Sequence, residues 1–501
     1  MYLILLLIVA ICLIVWFQVK WRRLKRFWAV RGVPHYPPHP IYGSLTFLLR
    51  ENPSVWMRQV YHDFKSPYVG MWVFWRLGLV VNCPDIARRV LVKDHAVFKN
   101  RFLSSGKTDP IGAMNLFTVD DPTWSYMRRR LTSIFTASKL RSLSGLIQEK
   151  AGDLAQRIHD ENERNNLVNL RLLLVDYTTD VIGEAAFGVK SEATRTGDSV
   201  MRRITRELMS FNLYRGLCWS SIFFFPELVD IFRFKFFPNG SISSLRKIFR
   251  TVIEQRGGYD TNVKEGKDLL DALVRIKQEA LLEKEDISEN MLLAQAAVFL
   301  LGGFDTSGMT LTWCFYELAW NPHVQERLYQ EILKAKESIG NKHFDTTILA
   351  DLTYLDCVIN ETLRKYPTMG WLDRIASKDY QIDEHLTISA GTVVYLNALG
   401  IQMDPQYFPV PHVFDPDRFL PENERNIKPY TFMPFGEGPR GCIGKRFAYQ
   451  TMRSALASVI MSFELRALPD SIKPNDCHVE KNGLLLSPDE NLHVQFIPRA
   501  V

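Results

Sequence analysis

The stretch that decides the fold is "PFGEGPRGCIGKRFA", residues 434–448, because two motifs overlap on it. Gly436, Gly438 and Gly441 spell G-x-G-x-x-G, the fingerprint of dinucleotide-binding loops. Residues 435–444 also spell F-x-x-G-x-R-x-C-x-G, a loop that presents one thiolate to a metal. The two motifs predict different enzymes, and the surrounding sequence distinguishes between them.

The context of the loop argues against a dinucleotide site. Such a site needs a buried strand before the first glycine and an acidic residue about 20 positions beyond the glycines. Glu464 stands near that distance, but Pro429 and Pro434 interrupt the segment where the strand would lie. About 60 residues follow Gly441, which is too few for a doubly wound nucleotide domain.

The thiolate interpretation explains more positions of the loop. Gly438 and Gly441 allow the backbone to turn tightly beneath a flat cofactor. We expect Cys442 to precede a helix that starts near Gly444, where the helix dipole and free amides favour a thiolate. Arg440 can reach a carboxylate on the rim of the cofactor, and Phe435 can cover the sulfur. Cys442 is therefore the predicted metal ligand.

Composition excludes several other classes of protein. The 501 residues have ordinary globular composition, and the seven cysteines are scattered singly without a C-x-x-C pair. This pattern argues against a zinc site or a secreted disulfide framework and indicates a reducing compartment. Residues 1–31 carry six basic residues and no acid, and the rest of the chain has 55 of each sign. A nucleic-acid partner is therefore not expected.

The N-terminus predicts a signal anchor. Residues 2–19 carry no charge, and 18 helical residues span roughly 27 Å, about the thickness of a bilayer core. The basic cluster follows the apolar run, which predicts a lumenal N-terminus and a cytosolic body. We expect an anchor with its basic flank at 1–31, a proline-rich hinge at 32–44 and a catalytic domain at 45–501. Helical spacing over most of the body, with short strand-like pieces, predicts one large, mainly α domain with small β-sheets.

Four further segments carry candidate site residues. "ETLR" places Glu361 and Arg364 three apart on a helix, where their charges can pair. "DPTWSYMRRR" predicts Asp121 as N-cap and Pro122 as the first helical residue. "GGFDTS" puts two adjacent glycines inside a long apolar helix, at a cost of about 1 kcal/mol each. Residues 220–240 contain seven phenylalanines, which suit either a core or a membrane interface.

These motifs resemble the cytochrome P450 haem-thiolate monooxygenases over essentially the whole chain. The loop at Cys442 matches the family's haem-binding signature at all five positions, and the other segments follow in the family's usual order. The sequence is most similar to insect microsomal members related to detoxification enzymes. Gln402 is a departure, because such members commonly carry His there, and it puts a minor contact at the haem edge in doubt.

The resemblance implies a role for each candidate residue. Haem b (iron protoporphyrin IX) would take Cys442 as its proximal ligand. Asp305 and Thr306 would form an acid–alcohol pair that supplies protons during oxygen activation, beside a local opening of the helix at Gly302. Residues of three segments would hold the haem, and a triad would lock the fold beside it. The haem-holding set is Trp124, Arg128, Arg374, Phe435 and Arg440, and the triad is Glu361, Arg364 and Arg418.

The resemblance also implies the reaction and its partners. One atom of O2 would enter a lipophilic xenobiotic, lipid or hormone, with electrons from NADPH–cytochrome P450 reductase and cytochrome b5 as a further candidate donor. The enzyme would lie in the endoplasmic reticulum membrane, with the phenylalanine-rich segment touching the bilayer. A haem-thiolate isomerase or dehydratase and a non-catalytic haem or lipophile carrier remain alternatives. The predicted pocket lies near Phe117, Phe299 and Thr368, and the hypothetical docking patch comprises Arg129, Arg130, Lys445 and Arg446.

Overall fold

The computed structural model describes residues 2–259, 268–340 and 344–499. Helices dominate these residues, and three small sheets accompany them. The mainly α fold with small β-sheets is therefore confirmed. The α-helices are Tyr2–Lys25 (α1), Phe27–Val30 (α2), Pro53–Phe64 (α3), Pro84–Arg88 (α4), Pro110–Ala113 (α5), Thr123–Thr132 (α6), Ala137–Ser142 (α7), Ser144–Glu163 (α8), Leu170–Phe187 (α9), Ala193–Thr196 (α10), Val200–Met209 (α11), Leu213–Phe224 (α12), Glu227–Phe232 (α13), Asn239–Gln255 (α14), Leu269–Leu282 (α15), Glu289–Trp320 (α16), Pro322–Ile339 (α17), Thr346–Ala350 (α18), Thr353–Lys365 (α19), Ala398–Gln402 (α20) and Lys445–Ser462 (α21).

The strands are Tyr68–Val73 (β1), Arg76–Val81 (β2), Leu372–Ile375 (β3), Tyr380–Gln381 (β4), Thr387–Ile388 (β5), Val393–Leu396 (β6), Phe463–Ala467 (β7) and Val494–Pro498 (β8). The largest sheet has four strands in the order β1-β2-β6-β3. Strand β2 pairs antiparallel with β1 and parallel with β6, and β3 pairs antiparallel with β6. The parallel pair joins segments more than 300 residues apart, so this sheet connects the start of the body to its later part.

Helix α16 runs through the centre of the body and packs closely on α9. A Cβ atom at Gly303 would lie 2.5 Å from Ile182, and one at Gly308 would lie 2.9 Å from Val175, so glycine permits this approach. The Thr178 hydroxyl donates to the carbonyl of Phe304 at 2.7 Å and fastens the two helices together. Because α16 is continuous from Glu289 to Trp320, the local opening implied at Gly302 is absent.

Helix α1 is the candidate membrane anchor. Among the described residues, α1 and α16 are long and apolar enough to cross a bilayer. Two thirds of the apolar window of α16 is buried inside the body, whereas that of α1 is exposed. Helix α16 is therefore a core helix by its packing, and α1 has the surface that a lipid-facing helix needs.

The residues after α1 pack on the body instead of standing apart from it. Trp28 is fully buried, and its indole nitrogen donates to the carbonyl of Met71 in β1 at 3.1 Å. Within the segment predicted as a hinge, the carbonyl of Pro34 accepts from the amide of Gly70 at 2.8 Å. The segment is thus bonded to the sheet edge, and this fixes how the body follows the anchor.

Two local expectations need correction. Helix α6 begins at Thr123 with Pro122 as its N-cap residue, and the Asp121 carboxylate accepts from the Ser125 hydroxyl instead of a backbone amide. The phenylalanine-rich segment forms α12, α13 and the turns around them, and most of its rings belong to the core. Phe232 and its neighbour Ile231 are the exposed large apolar residues of this stretch, at 59% and 69%.

Candidate active site

The loop before α21 presents Cys442 much as the sequence predicts. The amide of Cys442 donates to the carbonyl of Phe435 at 2.8 Å, and the amide of Gly441 donates to that of Gly438 at 2.9 Å. Gly438 has a φ of +72°, and a Cβ atom there would collide with the carbonyl oxygen of Leu91. Gly444 then caps α21, so the helix begins where the sequence predicts it.

The surroundings of Cys442 have opposing effects on the pKa of its thiol. The side chain keeps an accessible face, and the atoms packed around the rest of the thiol raise its pKa. The amide of Gly444 and the Arg128 guanidinium lower the pKa, but they do not outweigh burial. Burial therefore opposes the thiolate that the helix start favours. A bound metal deprotonates a coordinating thiol outright.

A cluster of buried cations lies close to this loop. Arg374 on β3 is 1% exposed, and Arg440 is buried with its guanidinium 4.1 Å from the ring of Trp124. Burial and neighbouring cations lower the pKa of Arg374 and that of Arg440 to about 9. Arg101 acts on both, and it was not predicted from the sequence. Arg128, which acts on Cys442, adds a fourth cation.

The charges in this cluster are not all paired among the described residues. Arg101 lies 3.4 Å from Asp373 and Lys99 lies 3.0 Å from Asp121, whereas Arg374 and Arg440 form no ion pair there. Asp120 acts on Arg440 only through space. The Nε–H groups of Arg374 and Arg101 are buried and have no hydrogen-bond partner among the described residues. Two unneutralised buried cations need anions, because an unpaired buried charge costs several kcal/mol. The surplus matches the two propionates of haem, so the residues fit the group that the resemblance implies.

His95 is a second residue that the sequence did not reveal. Its ring lies 6.2 Å from that of Trp124, and its Nε2 atom is buried without a partner among the described residues. Burial, together with the charges of Arg374 and Arg440, lowers its pKa. His95 therefore offers a buried ring nitrogen without a partner beside the cations.

Glu361, Arg364 and Arg418 come together as predicted. The Arg364 guanidinium donates to both carboxylate oxygens of Glu361, at 2.7 and 2.8 Å, and both side chains are fully buried. The Arg418 Nε atom lies 3.5 Å from Glu361. Gln402 completes the arrangement, because its side chain donates to the carbonyls of Leu363 and Arg364 and accepts from the amide of Met433. Gln402 thus joins the end of α19 to the loop that leads to Cys442.

Asp305 and Thr306 lie together on α16. The Thr306 hydroxyl donates to the carbonyl of Gly302 at 2.5 Å. Asp305 is 3% exposed, and its Oδ2 atom has no hydrogen-bond partner in the described part of the chain. Burial raises the pKa of Asp305 to about 6. A carboxyl group with a pKa near neutrality can take up and release a proton under physiological conditions.

A cavity of about 210 Å³ lies against these two residues. Phe117 lines it as predicted, and Met369 lines it beside Thr368. Phe299, which was expected in the same pocket, lines a separate and smaller cavity with Phe447. The walls of the larger cavity are mostly apolar, with aromatic rings from α12 and the residues after it. Such a lining suits a lipophilic small molecule.

The hypothetical docking patch is smaller than the sequence suggests. Arg129, Lys445 and Arg446 are exposed. The Arg130 side chain is 8% exposed and pairs with Glu283 across the surface, and Glu285 lies 3.5 Å away. Arg130 is therefore occupied within the chain and is not available to an acidic partner in this arrangement.

Comparison with known proteins agrees with this site. A model of the family described as "Cytochrome P450" matches residues 34–496. The chain is 31% identical over 492 residues to "Cytochrome P450 6k1" of Blattella germanica, covering 94% of this chain and 93% of the relative. It is 32% identical over 498 residues to "Probable cytochrome P450 6g2" of Drosophila melanogaster, covering 95% of each. The chain therefore belongs to the cytochrome P450 family, and it is a haem-dependent monooxygenase.

Proposed function

We propose that this monooxygenase inserts one atom of O2 into a lipophilic small molecule bound in the cavity beside Asp305 and Thr306. The observation that carries the proposal is that both residues line the same apolar cavity as Phe117. A substrate that fills the cavity therefore lies next to the acid–alcohol pair. When bound, haem supplies the oxygen-activating chemistry, in which one oxygen atom enters the substrate and the other leaves as water.

We assign Cys442 as the proximal iron ligand. Its accessible face and its place at the start of α21 support this role. The arginine cluster would hold the propionates through charge-assisted bonds, and Phe435 would shield the thiolate, since its backbone carbonyl already binds the amide of Cys442. The residues proposed to hold the propionates are Trp124, Arg128, Arg374 and Arg440, together with Arg101.

Asp305 and Thr306 would deliver protons to the side of the cofactor that faces the cavity. The Thr306 hydroxyl donates its hydrogen bond to the carbonyl of Gly302. It must therefore rotate away from that carbonyl before it can donate to another group. Asp305 would reload it from solvent, because its pKa of about 6 allows both protonation states near neutral pH. Glu361, Arg364 and Arg418 would serve the fold and not the chemistry, since Glu361 pairs with Arg364, and Arg418 lies near both Glu361 and Asp415.

Electrons would come from NADPH through NADPH–cytochrome P450 reductase, with cytochrome b5 as a second candidate donor. The exposed cations Arg129, Lys445 and Arg446 support a docking face near the Cys442 loop for an acidic partner. Lys445 and Arg446 stand in the first turn of the helix that follows Cys442. A partner bound there would lie on the thiolate side of the cofactor.

The protein would be a single-pass resident of the endoplasmic reticulum membrane with its body in the cytosol. Exposure of α1 and the basic residues at its end support this topology. A second contact with the bilayer would come from exposed apolar residues around α12 and α13. The buried ring of Phe234 lies between the exposed rings of Phe232 and Tyr214, at distances of 5.5 and 5.8 Å, so the two exposed rings belong to one aromatic cluster. Residues 32–44 would connect the anchor to the catalytic domain at 45–501.

The test uses the full-length protein with reductase, NADPH and candidate lipophiles. The reduced, carbon-monoxide-bound form should absorb at the position typical of thiolate ligation, and Cys442→Ala should abolish that absorption. Thr306→Ala should keep haem content and substrate affinity, while less product and more hydrogen peroxide form per NADPH. Product formed without NADPH would support the isomerase or dehydratase alternative, and binding without turnover would support a carrier. A thiolate spectrum that survives Cys442→Ala would overturn the proposed ligand.

A further inference from the structure

Arg215 is a buried cation in the wall of the cavity. It lies in the first turn of α12, where the side chain of Asn212 accepts from its backbone amide at 2.9 Å, and it is 5% exposed. A helix N-terminus disfavours positive charge, and removing a guanidinium from water costs several kcal/mol unless it is paired. Within residues 2–259, 268–340 and 344–499, no carboxylate forms an ion pair with Arg215. The chain therefore holds this charge at a cost.

Neutral groups hold the guanidinium in place without neutralising it. Its terminal nitrogens donate to the backbone carbonyls of Lys235 and Phe236, at 2.9 and 2.8 Å. The ring of Trp219 lies 5.6 Å from its central carbon, in a weak cation–π contact. Its Nε–H is buried and lacks a hydrogen-bond partner among the described residues. These contacts fix the plane of the guanidinium. The Nε–H donor still has no acceptor, and the positive charge has no ion-pair partner, among the described residues.

Asp109 is a carboxylate that acts on Arg215, but the two residues form no ion pair. Asp109 acts on it through space, but the oxygens of Asp109 accept from the Ser105 hydroxyl at 2.8 Å and the amide of Phe236 at 2.7 Å. The amide of Gly112 is a third donor to the same carboxylate. Asp109 is thus committed to holding the loops around α5, and it faces Arg215 only as a distant charge.

An aromatic wall leads from Arg215 along the cavity. Trp219 lies 4.8 Å from Phe236 and 5.8 Å from Phe223, measured between ring centroids, and Phe223 lies 6.0 Å from Phe117. All four rings line the cavity, together with Thr306. Arg171, the other arginine of the lining, is 3.5 Å from Glu480 and is therefore paired. Arg215 is the lining cation whose charge no carboxylate of the described chain takes up.

We propose that Arg215 determines specificity in this cavity and selects lipophilic carboxylic acids. The carboxylate would bind Arg215, and the hydrocarbon part would lie on the aromatic wall toward Thr306. A carboxylate supplies both the missing negative charge and an acceptor for Nε–H, whereas a neutral ester supplies only an acceptor. This inference rests on the proposed function, because it names the substrate class of the same cavity.

The experiment compares dodecanoic acid with methyl dodecanoate on the full-length holoprotein, by the change in haem absorbance on binding. We expect the acid to bind at least about tenfold more tightly than the ester, since charge-assisted hydrogen bonds contribute about 1.5–3 kcal/mol. Arg215→Gln should remove that preference by weakening the acid alone. The exposed Arg233→Gln removes an arginine outside the cavity lining and should retain the preference.

Each outcome decides the proposal. A wild-type protein that binds the ester as tightly as the acid overturns it, and this readout needs no variant to fold. Retention of the preference in Arg215→Gln, or its loss in Arg233→Gln, also overturns it, provided that both variants keep the thiolate spectrum. NADPH-dependent oxidation of both probes without preference leaves the proposed function intact and rejects the role of Arg215. Selective binding of the acid with no oxidation of either probe supports Arg215 and rejects the proposed function.

Discussion

Two groups of buried charges in this protein differ in whether the described residues supply their partners. At the end of α19, the carboxylate of Glu361 is bound by Arg364 and lies 3.5 Å from Arg418, so the opposite charges meet inside the chain. Around the Cys442 loop and on α16, Arg374 Nε and Asp305 Oδ2 are buried without hydrogen-bond partners among the described residues. The first group finds its opposite charges among the described residues, with Asp415 3.8 Å from Arg418, although the Nε–H of Arg418 has no hydrogen-bond partner there. The second group is complete only with a cofactor, water or substrate, which is the pattern expected of a functional site.

The comparison is tested most strongly at Glu361. Glu361→Gln keeps the shape of the side chain but leaves Arg364 buried without a counter-charge. Breaking one partner of a buried ion pair costs about 3–5 kcal/mol, a large share of the stability of a typical domain. We expect little folded holoprotein, measured as the yield of thiolate-type carbon monoxide spectrum and as the midpoint of denaturant unfolding. Normal yield and midpoint would mean that this group is not the lock that its geometry suggests.

Asp305 gives a prediction with a defined pH window. Its pKa is raised to about 6 by burial, so the folded state binds its proton more tightly than the unfolded chain, whose carboxyl titrates near 3.8. Stability is therefore lost as pH rises between about 4 and 6, and the charged form is penalised above that window. Asp305→Asn removes this titration. Its unfolding free energy relative to wild type should rise by about 2 kcal/mol between pH 4.5 and pH 7.5, in denaturant titrations followed by tryptophan fluorescence. A flat difference would indicate that Asp305 is paired or solvated.

Arg374 should behave differently from Glu361, because its unmet donor points to a ligand. Arg374→Leu removes a buried cation that the chain only partly neutralises. We expect the apoprotein to be as stable as wild type or more stable. Haem should be lost to excess apomyoglobin at least about tenfold faster, since a charge-assisted bond to a propionate is missing. Equal loss of stability in the apo and holo forms would place Arg374 in the same class as Glu361.

The smallest effect is expected at a surface ion pair that serves as the matched control. Arg327 lies 2.7 Å from Asp417, but both side chains are nearly half exposed, at 48% and 47%. Arg327→Gln should lower the unfolding free energy by less than about 1 kcal/mol, because exposed pairs gain little in water. The same denaturant titration measures it. A loss as large as that of Glu361→Gln would show that burial is not what separates the two groups.

The parts of the site that could be predicted are those whose residues lie close together along the chain. Glu361 and Arg364 share a helical turn, and the Cys442 loop has its glycines, arginine and helix start within ten positions. Arg101 and His95 carry no such motif, because their place is set by long-range pairing. The carboxylate of Asp373 on β3 accepts from the amide of Phe102 at 2.7 Å, and this bond brings residues near 100 beside residues near 373.

Other expectations failed because a distant segment competed for a residue. The sequence predicts Arg130 as a free surface cation on α6, but Arg130 forms an ion pair with Glu283, which lies just after α15. The phenylalanine-rich segment reads equally well as core or as membrane surface, and only the packing of α12 on the aromatic residues around the cavity decides for the core. Asp121 lies one position too early to cap α6, since the helix starts at Thr123. One-dimensional patterns fix which groups are available, and tertiary neighbours decide which of them remain free.

The turn between β1 and β2 packs against α1, so the orientation of the body is coupled to that of this helix. The ring of Trp75 lies 4.9 Å from Phe17 and 6.4 Å from both Trp16 and Trp21, and the indole of Trp72 donates to the carbonyl of Leu24 at 3.2 Å. A bilayer that holds α1 upright therefore also sets the height and bearing of the catalytic body above the lipid. A redox protein anchored in the same membrane would then reach the docking face of this protein by lateral diffusion in two dimensions, because both proteins would be held at a fixed height above the lipid. It would not need to search in three dimensions.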